Sequence, residues 1–117
     1  MTLNVLCVDD AEAITTLFTH TLTALGHNVS VASDGLEAIA HTKAAQFDVV
    51  IIDHLMPQIT GLELVRYLRE KEYSGKIYVF SGALSPEIRK EYDALRVNAI
   101  ATKPAGFGEI LALLRTL

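Results

Sequence analysis

LNVLCVDD at residues 3–10 and VVIID at residues 49–53 are two short apolar runs that each end in carboxylates. Runs of this kind are typical of strands buried in a parallel sheet, and they deliver charge to one edge of that sheet. If the two strands are neighbours, Asp9, Asp10 and Asp53 meet in one small volume. Like charges that close repel one another unless a cation neutralises them, and a hard divalent ion with oxygen ligands suits such a site.

Length and composition restrict the chain to one domain of ordinary globular character. Its 117 residues are enough for one domain and too few for two, and 50% of them are hydrophobic. The formal net charge is -4 and no stripe of Lys or Arg stands out, so we expect no direct nucleic-acid partner. We expect a single domain over residues 1–117, without an output domain.

The sequence also gives little sign of a membrane or of an oxidising compartment. The single cysteine, Cys7, excludes an internal disulfide. No apolar stretch approaches the roughly 18 residues that suggest a membrane span, and the N-terminus lacks the features of a signal peptide. The expected location is the cytoplasm, with no membrane partner.

Strand and helix signals alternate five times along the chain. Apolar runs predict strands at residues 3–8, 28–32, about 48–53, 76–80 and 98–102. Repeated strand–helix units specify parallel strands joined by right-handed crossovers, with helices on both faces of the sheet. The predicted fold is α/β: a doubly wound, five-stranded parallel sheet of the flavodoxin-like (βα)5 type, with strand order 2-1-3-4-5.

Local signals indicate where several helices begin, end and face the core. Asp34 followed by Glu37 has the spacing of a capping box, and Ser85-Pro86 predicts an N-cap followed by proline at the first helical position. Gly26 supplies a stop for the first helix. The predicted core face of that helix consists of Ile14, Leu17, Phe18, Thr21, Leu22 and Leu25.

The predicted strand order brings five polar residues to one crevice. Ligands of such sheets bind beyond the carboxyl ends of the strands, where strands 1 and 3 are neighbours. Ser81 and Lys103, at the ends of strands 4 and 5, should join the three aspartates there. The acids can hold Mg²⁺, and the hydroxyl and ammonium can help to surround a phosphoryl group. Asp53 is the best candidate for a nucleophile that forms an aspartyl phosphate.

The chain resembles the receiver domain of bacterial two-component response regulators, which has the chemotaxis-regulator fold. The resemblance covers essentially the whole chain, and five pieces in the right order carry it: Asp9-Asp10, DHLMP at residues 53–57, Gly61, Ser81 with the small Gly82 and Ala83 after it, and Lys103-Pro104. Each piece is weak alone, and the five together are a specific signal.

The resemblance implies a signalling phosphoacceptor that promotes its own phosphorylation and dephosphorylation. Asp53 would accept a phosphoryl group from the phosphohistidine of a histidine kinase or phosphotransfer protein. Asp10, Asp53 and the backbone carbonyl of Leu55 would bind Mg²⁺ directly, and Asp9 would act mainly through a bound water. Lys103 would contact a phosphoryl oxygen, and its bond to Pro104 would be cis.

The resemblance also implies how the signal leaves the domain. Ser81 would reorient towards the phosphate and switch a binding surface on helix 4, strand 5 and helix 5, which a downstream protein of unknown identity would recognise. Receivers commonly carry Tyr or Phe three residues before the lysine, and this chain has Ile100 there. We therefore expect phosphorylation to be intact and its relay to that surface to be altered.

Two further departures concern the neighbourhood of Asp53. Leu55 and Ala83 occupy positions at which family members tune the lifetime of the aspartyl phosphate. Neither side chain can orient an attacking water, so slow self-dephosphorylation is expected. The His54 side chain should turn away from the Asp53 carboxylate, because successive side chains of a strand point to opposite faces.

Two other functions stay open from the residues. A metal-dependent phosphohydrolase with an aspartyl nucleophile would use the same acids, although Leu55 stands where such enzymes typically carry a second Asp. An unphosphorylated scaffold is the other alternative. The aspartates could also serve only as helix caps, but a cap explains neither Ser81 nor Lys103.

Overall fold

Five strands alternate with five helices in a computed structural model that describes all residues, 1–117. In chain order the elements are β1 (Asn4–Val8), α1 (Glu12–Ala24), β2 (Asn28–Ala32), α2 (Gly35–Ala44), β3 (Val49–Ile52), α3 (Gly61–Glu70), β4 (Lys76–Ser81), α4 (Pro86–Ala94), β5 (Ala99–Thr102) and α5 (Phe107–Leu114). The predicted strands agree with the observed strands to within one residue at each end. None of the helices combines the length and apolar character needed to cross a bilayer.

All five strands are parallel and lie in the order β2-β1-β3-β4-β5, which confirms the predicted fold class and topology. At the carboxyl end of β1, Val8 is in register with Ala32 on one side and Ile52 on the other. The residues that follow β1 and β3 are therefore neighbours. Backbone hydrogen bonds continue this register, since the Asp53 amide donates to the Val8 carbonyl at 2.9 Å.

Two hydrophobic cores cover the two faces of the sheet. Phe18 and Leu22 of α1 pack on one face with Ile110 and Leu114 of α5. The opposite face is covered by α2, α3 and α4, and its core includes Ala38, Leu64, Val65, Leu68 and Tyr92. Burial on both faces accounts for the continuous apolar runs of β1 and β3, because neither run has a side that meets solvent.

The predicted core face of α1 was wrong at two residues. Leu17 is 43% exposed and Leu25 is 49% exposed, whereas Thr15, Phe18 and Leu22 are the buried residues of this helix. Each helical residue turns by about 100°, so Leu17 lies well to one side of its buried neighbour Phe18. Leu25 follows the last helical residue, and Gly26, with φ 90°, ends the helix as predicted.

The helix starts use the side chains that the sequence indicates. Ser85 caps α4 through the Ile88 amide, with Pro86 in the first turn. Asp34 caps α2 through the Glu37 amide, but the Glu37 carboxylate accepts from the Ser33 hydroxyl. The predicted box at α2 is therefore one-sided. Thr60 and Glu63 form a complete capping box at α3.

Gly61, the first residue of α3, lies where the chain leaves no room for a side chain. A Cβ at this position would lie 2.4 Å from the Asp53 carbonyl oxygen and 2.7 Å from the Tyr92 hydroxyl. The Gly61 amide also donates to the His54 carbonyl at 2.8 Å. The start of α3 is thus packed directly against the backbone that carries Asp53.

Gly61→Ala should destabilise the fold, because the added methyl group meets backbone that cannot move aside. We expect a loss of about 1–3 kcal/mol in the free energy of unfolding, measured by equilibrium denaturation with urea. Gly108→Ala is the matched control, because a Cβ at Gly108 in α5 would meet nothing within 4 Å. This control should gain roughly 0.5–1 kcal/mol, as expected for replacing a helical glycine. Equal stability of the two variants would contradict the packing described here.

Candidate functional site

The carboxyl ends of β1 and β3 bring three carboxylates together, as the strand order predicts. One carboxylate oxygen from each of Asp9, Asp10 and Asp53 lies within 4.8 Å of the others. Asp9 and Asp53 are buried, with 3% and 7% of their surface exposed, and Asp10 is open to solvent. The cluster is thus reached from its Asp10 side.

Lys103, which follows β5, extends its ammonium group into this cluster. Its Nζ lies 2.7 Å from Asp9 Oδ2 and 3.4 Å from Asp53 Oδ1. The other Asp9 oxygen, Oδ1, accepts from the Ala11 amide at 2.9 Å. Both oxygens of Asp9 therefore have protein partners, and the shorter of the two ion pairs is made to Asp9 rather than to Asp53.

Ser81 is the last residue of β4 and is buried beside the same crevice. Its carbonyl accepts from the Lys103 amide at 2.7 Å, so the ends of β4 and β5 are joined where their polar side chains begin. The peptide bond between Lys103 and Pro104 is cis, as the family resemblance implies.

Burial and charge set the protonation behaviour of the cluster. Burial and the negative charge of Asp9 raise the pKa of Asp53, and Lys103 and the Ser81 hydroxyl offset this only in part. Burial alone would lower the pKa of Lys103, but its hydrogen bond to Asp9 and the charges of Asp53 and Asp9 outweigh burial and raise it. Asp9 and Asp53 therefore share the Lys103 ammonium, which only partly offsets the effect of burial and of Asp9 on the pKa of Asp53.

This donor set fits a hard divalent cation. All the side-chain donors of the three aspartates are oxygens, and Mg²⁺ is usually held by one or two carboxylates together with waters and phosphate oxygens. Burial and the charge of Asp9 raise the pKa of Asp53 more than Lys103 lowers it, so a further cation would stabilise the charged form of Asp53. Leu55 lies in the loop after β3 with its side chain 72% exposed. Because a leucine side chain has no ligand atom, this residue could bind a metal only through its backbone carbonyl.

His54 makes two hydrogen bonds that the sequence did not indicate, one to Asp53 and one to Tyr92. Its amide donates to Asp53 Oδ1 at 2.9 Å, and its ring Nδ1 lies 2.6 Å from the hydroxyl oxygen of Tyr92 in α4. The ring is thus directed to α4, whereas the backbone of the same residue contacts the carboxylate. The ring is directed to α4 rather than to the carboxylate, as predicted, but strand alternation is not the reason, because β3 ends at Ile52 and His54 belongs to the loop.

A signal for Tyr92, by contrast, was present in the sequence. Ile88, Tyr92 and Leu95 recur at helical spacing, which marks the buried stripe of α4. Tyr92 is fully buried, and Ile88 and Leu95 pack against the same core. Spacing alone could not identify the hydrogen-bond partner of its hydroxyl group.

Comparison with known proteins places these features in one family. A family model described as the response regulator receiver domain matches residues 5–115. The transcriptional regulatory protein TrcR of Mycobacterium tuberculosis is 34% identical over 115 residues, which cover 98% of this chain and 45% of that protein. The chain spans about half or less of the length of the curated relatives that it matches.

Solved structures match over nearly the full chain. The chemotaxis protein CheY4 of Vibrio cholerae superposes with a TM-score of 0.90 at 34% identity, covering 99% of this chain and 98% of that chain. The response regulator TrrA of Thermotoga maritima, solved in complex with Mg²⁺-BeF, superposes with a TM-score of 0.84 at 26% identity, covering 97% of each chain.

The raised pKa of Asp53 predicts a pH-dependent penalty on the metal-free fold. Just above the ordinary pKa of 3.8, the folded state keeps a proton that the unfolded state has lost, so stability falls as pH rises through this range. Asp53→Asn removes this titration. In the presence of a chelator the variant should be more stable than the parent at neutral pH, and the difference should shrink as the pH falls towards 3.8. Urea denaturation across this pH range measures it, and a less stable variant at neutral pH would contradict it.

Proposed function

Since this chain belongs to the family of response regulator receiver domains, we propose that Asp53 is the residue that accepts the phosphoryl group. Receiver domains of two-component systems are signalling phosphoacceptors that histidine kinases phosphorylate. The observation that carries the proposal is the position of the Asp53 carboxylate, buried at the sheet edge, 3.4 Å from the Lys103 ammonium and within 4.8 Å of two further acids.

The proposed reaction is transfer from a phosphohistidine to the Asp53 carboxylate. A carboxylate oxygen forms a bond to phosphorus while the bond between phosphorus and the histidine nitrogen of the donor breaks. The electron pair of that bond stays on the nitrogen. The Lys103 ammonium then also contacts a phosphoryl oxygen, where it offsets the negative charge that develops during transfer.

Asp10 and Asp53, with the backbone carbonyl of Leu55, are the residues that would hold Mg²⁺. Asp9 would act through a water, because both of its carboxylate oxygens already have protein partners. When bound, the metal neutralises negative charge on the transferring group and on the acids. Asp9 has a second task, which is to hold the Lys103 ammonium next to Asp53.

Ser81 is the proposed sensor of the phosphoryl group. It is buried at the end of β4, one strand away from β3, and its backbone is joined to that of Lys103. Its hydroxyl is therefore within the crevice that the phosphoryl group would enter. The proposed output surface is formed by α4, β5 and α5, and residues 1–117 act as one receiver domain whose kinase and downstream partner are unidentified proteins.

Incubation with Mg²⁺ and acetyl phosphate should add one phosphoryl group to the chain, detected by intact-protein mass spectrometry. Asp53→Asn should add none, because an amide is a much poorer nucleophile than a carboxylate. The control Asp34→Asn should be labelled like the parent, because Asn caps α2 as well as Asp does and Asp34 lies outside the cluster.

Two outcomes of this experiment would overturn the proposal. Labelling of Asp53→Asn to the parent level would place the acceptor elsewhere. Steady phosphate release without accumulation of label would instead indicate a phosphohydrolase.

After the donor is removed, loss of the label within seconds would contradict the slow hydrolysis expected from the apolar Leu55 and Ala83.

Mg²⁺ should stabilise the folded chain, because it binds a cluster that unfolding disperses. At a free concentration of 100 times the dissociation constant, the gain is about 2.7 kcal/mol, visible as a rise in the thermal midpoint that a chelator reverses. Asp10→Asn should reduce this rise, whereas Asp34→Asn should keep it. An undiminished rise in Asp10→Asn would exclude Asp10 as a ligand.

A further inference from the structure

His54 connects the proposed acceptor to α4 through two hydrogen bonds made by one residue. Its backbone amide donates to Asp53 Oδ1 at 2.9 Å. Its ring Nδ1 lies 2.6 Å from the Tyr92 hydroxyl oxygen, and the two rings meet edge to face at 78° with centroids 5.5 Å apart. A continuous path of short contacts therefore runs from the Asp53 carboxylate to the last turn of α4.

Tyr92 is the most deeply buried residue by which α4 packs on the sheet, and the partly buried Ile88 and Leu95 pack beside it. It is the only buried residue of this helix, with 0% of its surface exposed. The remaining links from α3 to α4 are peripheral: Arg66 pairs with Glu91 on the surface, and Arg69 donates to the carbonyls that follow the end of α4. A displacement of Tyr92 would therefore move the helix that carries it.

The start of α3 lies directly against both His54 and Tyr92. The hypothetical Cβ at Gly61 falls 2.7 Å from the Tyr92 hydroxyl and 3.0 Å from His54 Cα, so these groups already touch the start of α3. Burial, and then the charge of Asp53, raise the pKa of Tyr92. The hydroxyl thus keeps its proton and can donate to the imidazole ring.

Ile100 provides no comparable polar link. It lies half-buried on β5, in register with Val79, and packs against the same core as Tyr92. Its side chain has no hydrogen-bonding atom, so it cannot follow a reorientation of the Ser81 hydroxyl by changing partners. A polar route to the α4 side of the domain exists at His54 instead.

We propose that the hydrogen bond between His54 and Tyr92 transmits the phosphorylation state of Asp53 to α4. This inference rests on the proposed phosphorylation of Asp53. When an Asp53 oxygen is bonded to phosphorus, negative charge moves from the carboxylate to the phosphoryl oxygens. The acceptor of the His54 amide is then no longer charged, so the hydrogen bond between this amide and Asp53 weakens. The shift of His54 is carried by its ring to the Tyr92 hydroxyl and so to α4.

Amide chemical shifts of α4, recorded with and without Mg²⁺ and acetyl phosphate, test the proposal. In the parent, phosphorylation should shift the amide signals of the β3–α3 loop and of α4. Tyr92→Phe removes only the hydroxyl group, so the loop signals should still respond while most of the α4 response is lost. His54→Leu keeps the amide that contacts Asp53 and should give the same result.

Tyr73→Phe is the matched control, because it also removes a hydroxyl that is hydrogen-bonded to protein. Its partner is the Phe47 carbonyl, 2.9 Å away, and both residues lie at the amino ends of the strands, opposite to Asp53. This variant should keep the full α4 response. Thermal denaturation of each variant confirms that it is folded at the temperature of the measurement.

The measured mass of each sample shows whether it carries the phosphoryl group. It therefore distinguishes a failure of the proposed function from a failure of the proposed transmission. Absence of the added phosphoryl group in the parent would refute the proposed function itself. Full phosphorylation together with an undiminished α4 response in both Tyr92→Phe and His54→Leu would refute only the transmission through this hydrogen bond. Loss of the response in Tyr73→Phe as well would show that any lost hydroxyl weakens it, which also contradicts the proposal.

Discussion

Two buried carboxylates, those of Asp9 and Asp53, share one ammonium group at the carboxyl ends of the strands, with the Asp10 carboxylate close by, and this imbalance of charge governs the chemistry of the domain. Burial makes the charged form of Asp53 unfavourable, and the nearby Asp9 adds repulsion, so Lys103 alone does not satisfy the cluster. A cluster of this kind gains stability from a divalent cation. The fold therefore holds the carboxylates in an arrangement that is costly until a cation binds.

The sheet supplies the rigidity that this arrangement requires. β1 and β3 are central strands, covered by helices on both faces, and their register sets Asp9 next to Asp53. Repulsion between the acids cannot be relieved by moving the strands apart without breaking backbone hydrogen bonds and both cores. Gly61 adds a second constraint, since it brings α3 into direct contact with the backbone of Asp53.

The loop after β3 connects this chemistry to the rest of the domain. It contains both the exposed Leu55 and the half-buried His54, so the residues that follow Asp53 face in different directions. His54 reaches the buried Tyr92 of α4, which is on the side of the sheet opposite to α1 and α5. The Ile100 side chain lacks a polar atom, and the contact between His54 and Tyr92 gives α4 a hydrogen-bonded connection to Asp53.

The sequence was enough to predict the alternation of elements, the strand order and the five polar residues at the strand ends, because buried parallel strands and their crossovers leave strong periodic signals. It misassigned Leu17 and Leu25, because apolar residues near the edge of a helical stripe look the same whether or not a neighbour covers them. The closer pairing of Lys103 with Asp9 than with Asp53, and the contact between His54 and Tyr92, became evident only in the folded chain. These contacts join residues far apart in the chain, and their partners depend on distances that only the packed helices and strands define.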